Sequence, residues 1–539
     1  MPISSDKVVA LCRDFEVMVT ARRVRDSVWQ DVRELVRPAT SDFTGYTTPG
    51  EVRTNGAYDS TAIDACKELA AGLHTYLTNP AERWFTLGVT GMPVEEYDED
   101  GLAWLEVVSD RIYQEHNRPE SGFHTCMHEC FLDIGAFGTS CPYQTYSRKS
   151  KSLIFRSFPM SDCYFKESAE GRIDSVARRV CWTRRQLEQE FTDLPPKVAD
   201  EKNMDREYEV IHFVFPRTDR VEYAVNSVNK PYASVWLCKD TKELLYESGY
   251  DELCYHPGRW EKLANQVYGE GPATTCLPDI LMLNAMERTL IRAGQKQVDP
   301  PLMIPDEGYT LPIATSPASI IWREPGVDAI EALRFEGNLP WGEEKAEQKR
   351  ESIRKCFHSD WLRMEKENKE MTAFEVADRR NEKLALLAPN LGRIQGEQLG
   401  PLLARSYRLL HEVGTFPPAP PSLQKRRLRV EYVSPAARAQ MAIKANEASR
   451  YVQELITIAA VKPEVLDYVD FDMLTKKLAE YRSITRTIMR SSDAVESSRQ
   501  QRQQVEMMQQ VAAAAEPATK ALKNVADAQS KGLNVESLI

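Results

Sequence analysis

The 539 residues are too many for one hydrophobic core, so two to four substructures are expected. Apolar residues at 42% and charged residues at 28% are ordinary for a soluble globular protein, and no apolar run is long enough to cross a bilayer. The formal net charge of −11 argues against a static grip on duplex DNA, whose affinity comes largely from neutralising phosphates, but it permits loose contact.

The N-terminal stretch MPISSDKVVALCRDFEVM lacks the basic-then-apolar layout of a secretion signal, so the chain is expected to remain in the cytoplasm that makes it. Residues 6–38 carry a helical pattern, which Pro38 and the TSDFTGYTTPGE stretch end in a loop. A second helix runs from Ser60 to Leu77, where Ile63, Cys66, Ala70, Leu73 and Leu77 form one stripe. Asn79-Pro80 stops it, and Trp84, Phe85 and Leu87 read as a short strand. Helical patterns return at about 101–116 and 121–137. The second contains His124, Cys126, His128 and Cys130; the histidines share one helix face and the cysteines another, so these four alone cannot converge on a metal ion. No metal and no cofactor is therefore assigned. The eleven cysteines, an odd number without paired spacing, read as reduced core residues.

From 142 to 256 the pattern changes to short alternating runs, among them SLIFRSF, IDSVARRVCWT, YEVIHFVF and YASVWLC. Turn residues between them predict an antiparallel meander interrupted by one helix near Arg184–Phe191. Leu277–Val298 is a long helix, about 33 Å at 1.5 Å per residue, broken by Asp299-Pro300-Pro301. A Pro-rich excursion follows, and a highly charged helix then runs from Trp341 to Met364. Two such helices flanking a small excursion predict an antiparallel pair capped at its far end. EKENKEM (365–371) is a polar link, and Thr372 with Glu375 makes a capping box for a helix whose Pro389 and Pro401 predict a kink. TFPPAPPS is a stiff linker, and RLRVEYV a strand. The basic run Lys425, Arg426, Arg427 and Arg429 alternates into that strand and reads as a solvated face. Beyond Pro435 the sequence is helical at about 436–460, 463–483 and 492–514, with a tail from Pro517 expected to be mobile.

There is no Gly-rich phosphate loop, no dinucleotide fingerprint, no HExxH and no Gly-x-Ser-x-Gly elbow. The acidic residues are spread along charged helices rather than clustered. Enzyme chemistry has no positive support in the sequence.

Four segments carry a resemblance: YDSTAIDACKELAAGLHTYLTNPAERWFTL (58–87), GEGPATTCLPDILMLNAMERTLIRAGQKQVDPPLMIP (269–305), MTAFEVADRRNEKLALLAPNLGRIQGEQLGPLLARSYRLL (371–410) and VEYVSPAARAQ (430–440). Together they resemble the portal proteins, or head-to-tail connectors, of short-tailed, podovirus-type bacteriophages. The Gly-x-Gly-Pro-Ala entry to a helix ending in Asp-Pro-Pro is the most specific part, and the similarity extends in order over most of residues 10–510. The resemblance implies a mainly helical α+β portal fold assembled as a ring, typically of twelve subunits. It divides the chain into an α+β wing (1–270), a stem helix (271–298), a small Pro-rich α/β clip (299–340) and a second stem helix (341–364). A tunnel loop (365–372), a kinked helix returning to the wing (373–433), a helical crown (434–515) and a mobile tail (516–539) complete it.

Function and partners follow from the same resemblance. The chain is expected to be a structural, non-enzymatic subunit at one capsid vertex, assembled in the host cytoplasm and retained in the virion. The ring is the channel for packaging and ejecting double-stranded DNA, touched without sequence specificity. It docks the terminase packaging motor and then tail adaptor proteins, and it meets capsid, scaffolding and internal core proteins, with no membrane insertion. Lys366, Asn368 and Lys369 of the tunnel loop are the expected DNA contacts, through phosphate rather than base edges. Tyr309, Ile320, Ile321 and Trp322 are the expected partner contacts of the clip. Ile280, Leu283, Met286 and Leu290 are the expected contacts between stems, with Leu281 and Ile291 adding apolar surface elsewhere on the helix. Twelve chains at −11 each give a ring of about −130. The alternative reading is an oligomeric virion scaffold or adaptor without a channel.

Overall fold

The structure is a computed structural model. It describes residues 5–45, 56–91, 98–220, 226–304, 339–359, 387–424, 426–433, 435–459, 469–481 and 494–508, with a few isolated positions between. The chain divides into two compact units, 1–85 with 110–416 and 86–109 with 417–539.

The first helices are α1 (Ser5–Leu35) and α2 (Thr61–Leu77), followed by strand β1 (Phe85–Val89), α3 (Glu99–His116) and α4 (Phe123–Phe137). In α1 the buried Val8, Leu11, Phe15, Met18, Arg22 and Trp29 recur at three, four or seven residues, forming one inward face. Arg22 is buried because its guanidinium donates to the carbonyls of Met160, Ser161 and Cys163 at 2.8, 2.8 and 2.6 Å. Helices α2 and α4 pack together. Gly135 permits that approach, since a Cβ there would lie 3.1 Å from the Cys66 sulfur.

Short strands β2 (Thr139–Ser140), β3 (Pro142–Ser147) and β4 (Ser152–Ser157) lead into β5 (Cys163–Glu167) and β6 (Ile173–Thr183). Helices α5 (Arg184–Glu190) and α6 (Pro196–Ala199) come next, then β7 (Glu207–Pro216), β8 (Tyr232–Cys238), β9 (Glu243–Tyr250) and β10 (Gly258–Arg259). Strands β5 to β9 form a five-stranded antiparallel sheet in sequence order, the meander that the alternating runs predict. Its interrupting helix α5 starts with a Thr183/Gln186 capping box. The period of two separates the faces: Ile211, Phe213, Val235 and Leu237 cluster with Leu11, Phe15 and Met18 of α1. Val210 and Cys238 cluster with Leu187, Phe191 and Val198 on the other side.

The Gly-x-Gly-Pro-Ala motif has a steric origin. A Cβ on Gly269 would lie 2.3 Å from the Gly138 carbonyl oxygen, and one on Gly271 2.7 Å from the Ile134 carbonyl oxygen. The backbone therefore passes in contact with the end of α4 just before α7 (Pro272–Thr275) and α8 (Leu277–Val298). Helix α8 ends where Asp299-Pro300-Pro301 predicts. Two-residue strands β11 (Leu302–Met303) and β12 (Glu331–Ala332) pair antiparallel, so the Pro-rich excursion leaves and returns at one place.

Helix α9 (Leu339–Cys356) is interrupted by a turn at Phe357 and His358, and the predicted stretch from 360 to Met364 lies outside the described residues. His358 takes a left-handed backbone, φ 56°. The Phe357 and His358 N–H groups close onto Ile353 and Lys355 carbonyls. The capping box at Thr372 and the polar link lie outside the described residues. At 387–412 the predicted kink is a π-helical segment, Gln395–Leu399, followed by α10 (Gly400–Glu412). Pro401 has no N–H to return to Glu397, and the Gly400 N–H donates instead to the Gln395 carbonyl, one residue further back than in an α-helix.

In the second unit β1 pairs with β13 (Leu428–Tyr432). Arg429 on β13 donates to Glu431 at 2.8 Å, and Arg426 and Arg427 are exposed, the solvated face expected of that run. Helices α11 (Pro435–Ala459) and α12 (Phe471–Tyr481) pack together, and a further helix covers 494–508. Helix α12 starts later than the pattern predicts. Its start is capped by Asp470, which accepts from the Asp472 and Met473 N–H groups at 3.0 Å each.

Candidate functional site: the paired helices

Helices α8 and α9 pack antiparallel, as expected from two long helices around a short excursion. Near the base, Asp279 accepts from Lys349 and Ser352 at 2.8 Å each, and these hydrogen bonds hold its carboxyl below the usual carboxylate range. Further out, a Cβ on Gly342 would meet the Leu290 side chain at 2.7 Å. Arg350 joins three segments: it donates to Asp59, just before α2, at 2.9 Å, to Glu347 at 3.1 Å, and to Glu287 of α8. Asn284 holds the same approach, accepting from the Tyr58 N–H at 2.7 Å and donating to the Gly56 carbonyl at 2.9 Å.

The pair hides one apolar face and shows another. Ile280 and Leu283 are 4% and 2% exposed within the subunit itself, while Met286 and Leu290 are half-buried. Ala346, Ile353 and Phe357 are fully buried, and α9 packs on α2 as well as α8. Leu281, Met282 and Ile291 are 44%, 50% and 44% exposed. Leu281 and Leu283 stand about 200° apart around the helix, on opposite sides. Of the expected stem contacts, Ile280 and Leu283 are thus largely covered by the chain's own fold, and the open apolar surface belongs to their neighbours.

Tyr309, Ile320 and Ile321 lie outside the described residues, as do Lys366, Asn368 and Lys369 of the polar link. Trp322 is 75% exposed. The His/Cys segment sits on α4 with its two predicted faces. His124 and His128 turn toward His74 of α2, ring centroids 5.4 and 6.2 Å away, and His124 bonds Asn117 at 2.6 Å. Cys126 and Cys130 are buried. Burial and the two neighbouring histidines push His74 down to about 4. Among the described residues no group of three or more His, Cys, Asp or Glu is arranged to hold a metal ion. Nor, among them, is any helix long and apolar enough to cross a membrane.

Residues 10–489 match the family of bacteriophage head to tail connecting proteins. The chain belongs to that family. It is 30% identical over 513 residues to the probable portal protein of Bordetella phage BPP-1, covering 92% of this chain and 91% of that one. It is 26% identical over 521 residues to the portal protein of Salmonella phage epsilon15, covering 94% and 93%. The connector is a structural portal subunit and not an enzyme.

One feature of this connector gave no sequence signal. Arg259, buried in the two-residue β10, donates to both carboxylate oxygens of Glu397 at 2.8 and 2.9 Å and to Glu167 at 2.9 Å. It also donates to the carbonyls of Gly171 and Val267 at 3.0 and 3.2 Å. Glu397 and the fully buried Gln398, which donates to Ser140 at 2.8 Å, both lie in the π segment. The π segment is thereby fixed to the sheet region. A buried arginine and a solvated one look alike in a sequence, and only Pro401 hinted that this turn is irregular.

Proposed function

We propose that this portal subunit assembles with copies of itself, twelve in number, into a closed ring at one capsid vertex, through which double-stranded DNA is packaged and later ejected. In this reading α8 and α9 are the stem, the excursion between β11 and β12 the clip, residues 365–372 the tunnel loop, and the helices from 434 the crown. The remaining α+β body is the wing. What carries the reading is the exposed apolar side chains Leu281, Met282 and Ile291, spread around a helix whose Ile280 and Leu283 are already covered within the subunit. A helix with apolar residues on both sides fits neighbours on both sides.

The conduit mechanism follows from charge. Each phosphate contact that releases counterions adds affinity and drag together. A chain of net charge −11 with a few cations, Lys366 and Lys369 beside Asn368, lets DNA touch and move on. The clip, with Tyr309, Ile320, Ile321 and Trp322, meets the terminase motor during filling and tail adaptors afterwards; capsid, scaffolding and core proteins meet the wing and crown. Electron microscopy of the purified protein tests the assembly: discs with a central hole and a countable symmetry are expected, and filaments or compact dimers would refute it.

A further inference from the structure

Cys276 and Cys356 are far apart in sequence and adjacent in space. Cys276 is the N-cap of α8, and Cys356 is the last residue of α9, at the base of the pair. Both thiols face the same short turn, and the Cys276 thiol lies 3.9 Å from the Ala273 carbonyl oxygen. The Cys356 thiol lies 3.4 Å from the Pro272 carbonyl oxygen, the same atom that accepts the Cys276 N–H at 3.0 Å. Cys276 is buried, whereas Cys356 is partly open to solvent. The neighbouring cysteines Cys126 and Cys130, and Cys141 and Cys163, are all buried. Cys276 and Cys356 therefore combine proximity with access.

We propose that Cys276 and Cys356 form a reversible disulfide that staples the base of the helical pair when the protein meets a low-molecular-weight disulfide oxidant. Cys356, as thiolate, attacks one sulfur of the oxidant, expels the other as a thiolate and becomes a mixed disulfide. Cys276 then loses its proton to solvent and attacks the Cys356 sulfur, expelling the second small thiolate. Two protein thiols become one disulfide, and one oxidant disulfide becomes two small thiols. The order of attack follows from the environment. Cys356 is partly open to solvent and meets the oxidant first, whereas Cys276 is buried and reaches only the mixed disulfide beside it. Bond formation brings the sulfurs to about 2.05 Å through rotation about the side-chain torsions. The link pins the point where the chain leaves α9 to the point where it enters α8, and closes a loop of about 80 residues. The inference stands on thiol geometry and not on ring assembly, so failure of either leaves the other to be judged separately.

The experiment uses the full chain. It is treated with oxidised glutathione at about pH 8, alkylated under denaturing conditions and peptide-mapped without reduction. A peptide pair joined through Cys276 and Cys356 is expected. It should disappear with dithiothreitol, leave Cys126, Cys130, Cys141 and Cys163 alkylated, and accompany an upward shift in unfolding temperature. Cys276→Ser should trap Cys356 as a stable glutathione adduct, and Cys356→Ser should leave Cys276 unmodified by glutathione. Recovery of both wild-type cysteines as alkylated thiols would overturn the proposal. So would a lasting Cys356 adduct without the link, or a link that leaves the unfolding temperature unchanged or lower.

Discussion

Arg259 lies in a strand of two residues, yet segments around residues 167, 171, 267 and 397 all meet on its guanidinium. Breaking such a buried pair from one side leaves carboxylates without a counter-charge, so Arg259→Ala should lower stability by about 3 kcal/mol in urea unfolding. An unchanged midpoint would mean that water already solvates Glu167 and Glu397. Three other buried side chains make the protein sensitive to acid. His116 bonds Ser406 at 2.9 Å, His212 bonds Tyr255 and Ser234 at 2.7 and 2.9 Å, and His256 meets the Gln144 side-chain amide at 3.1 Å. Burial holds all three near 3, against an ordinary 6.5. Below the ordinary value the unfolded chain binds protons that the folded one refuses, so stability is full above about 6.5 and falls as pH drops from there toward about 3. Each histidine contributes a slope approaching about 1.4 kcal/mol per pH unit. Urea midpoints measured from pH 7.5 down to 5 should decline; a flat profile would show that these rings are charged in the fold. Neither feature was legible in the sequence, because the partners of Arg259 and of the histidines are fixed by tertiary packing.

At the level of elements, the legible parts are those whose signals are local. The end of α8 follows from the Asp299-Pro300-Pro301 exit, and the five-stranded meander from alternation and turn residues. The turn that interrupts the helix after Cys356 was not legible, since His358 adopts its left-handed backbone in a tertiary setting that its own letter does not reveal. Nor was the orientation of α8: periodicity shows that apolar residues occur on several sides, but which side the chain covers depends on α9. The structure covers Leu283 and leaves Leu281 open, and this distinction can be measured. Leu283→Asp buries an unpaired charge inside the subunit and should cost several kcal/mol, unfolding the pair itself and not only its assembly. Leu281→Asp should change subunit stability by no more than about 0.5 kcal/mol. Equal effects of the two substitutions in chemical denaturation would show that the two faces of α8 are not distinct.

For the whole molecule, the decisive question is what the exposed apolar side chains on α8 are for. If they served only the isolated subunit, their exposure would be a small liability, and charging them would raise solubility with no other effect. If they close a ring, each subunit buries them against the next, and cyclic symmetry repeats any penalty at every interface. The double variant Leu281→Asp, Ile291→Asp places two carboxylates where a neighbour is expected. The single subunit keeps its circular dichroism and its unfolding midpoint, because both side chains already face water. A charge desolvated without a partner costs several kcal/mol, and the ring contains as many such contacts as subunits, so even a modest cost per interface removes the closed species. Sedimentation should therefore show the wild type as one large species and the variant as folded monomers or short open arcs, with no annular particles under the microscope. Intact rings from the double variant would mean that these side chains face solvent in the assembly, and the seam would then have to be sought on α9, which is highly charged but exposes Trp341.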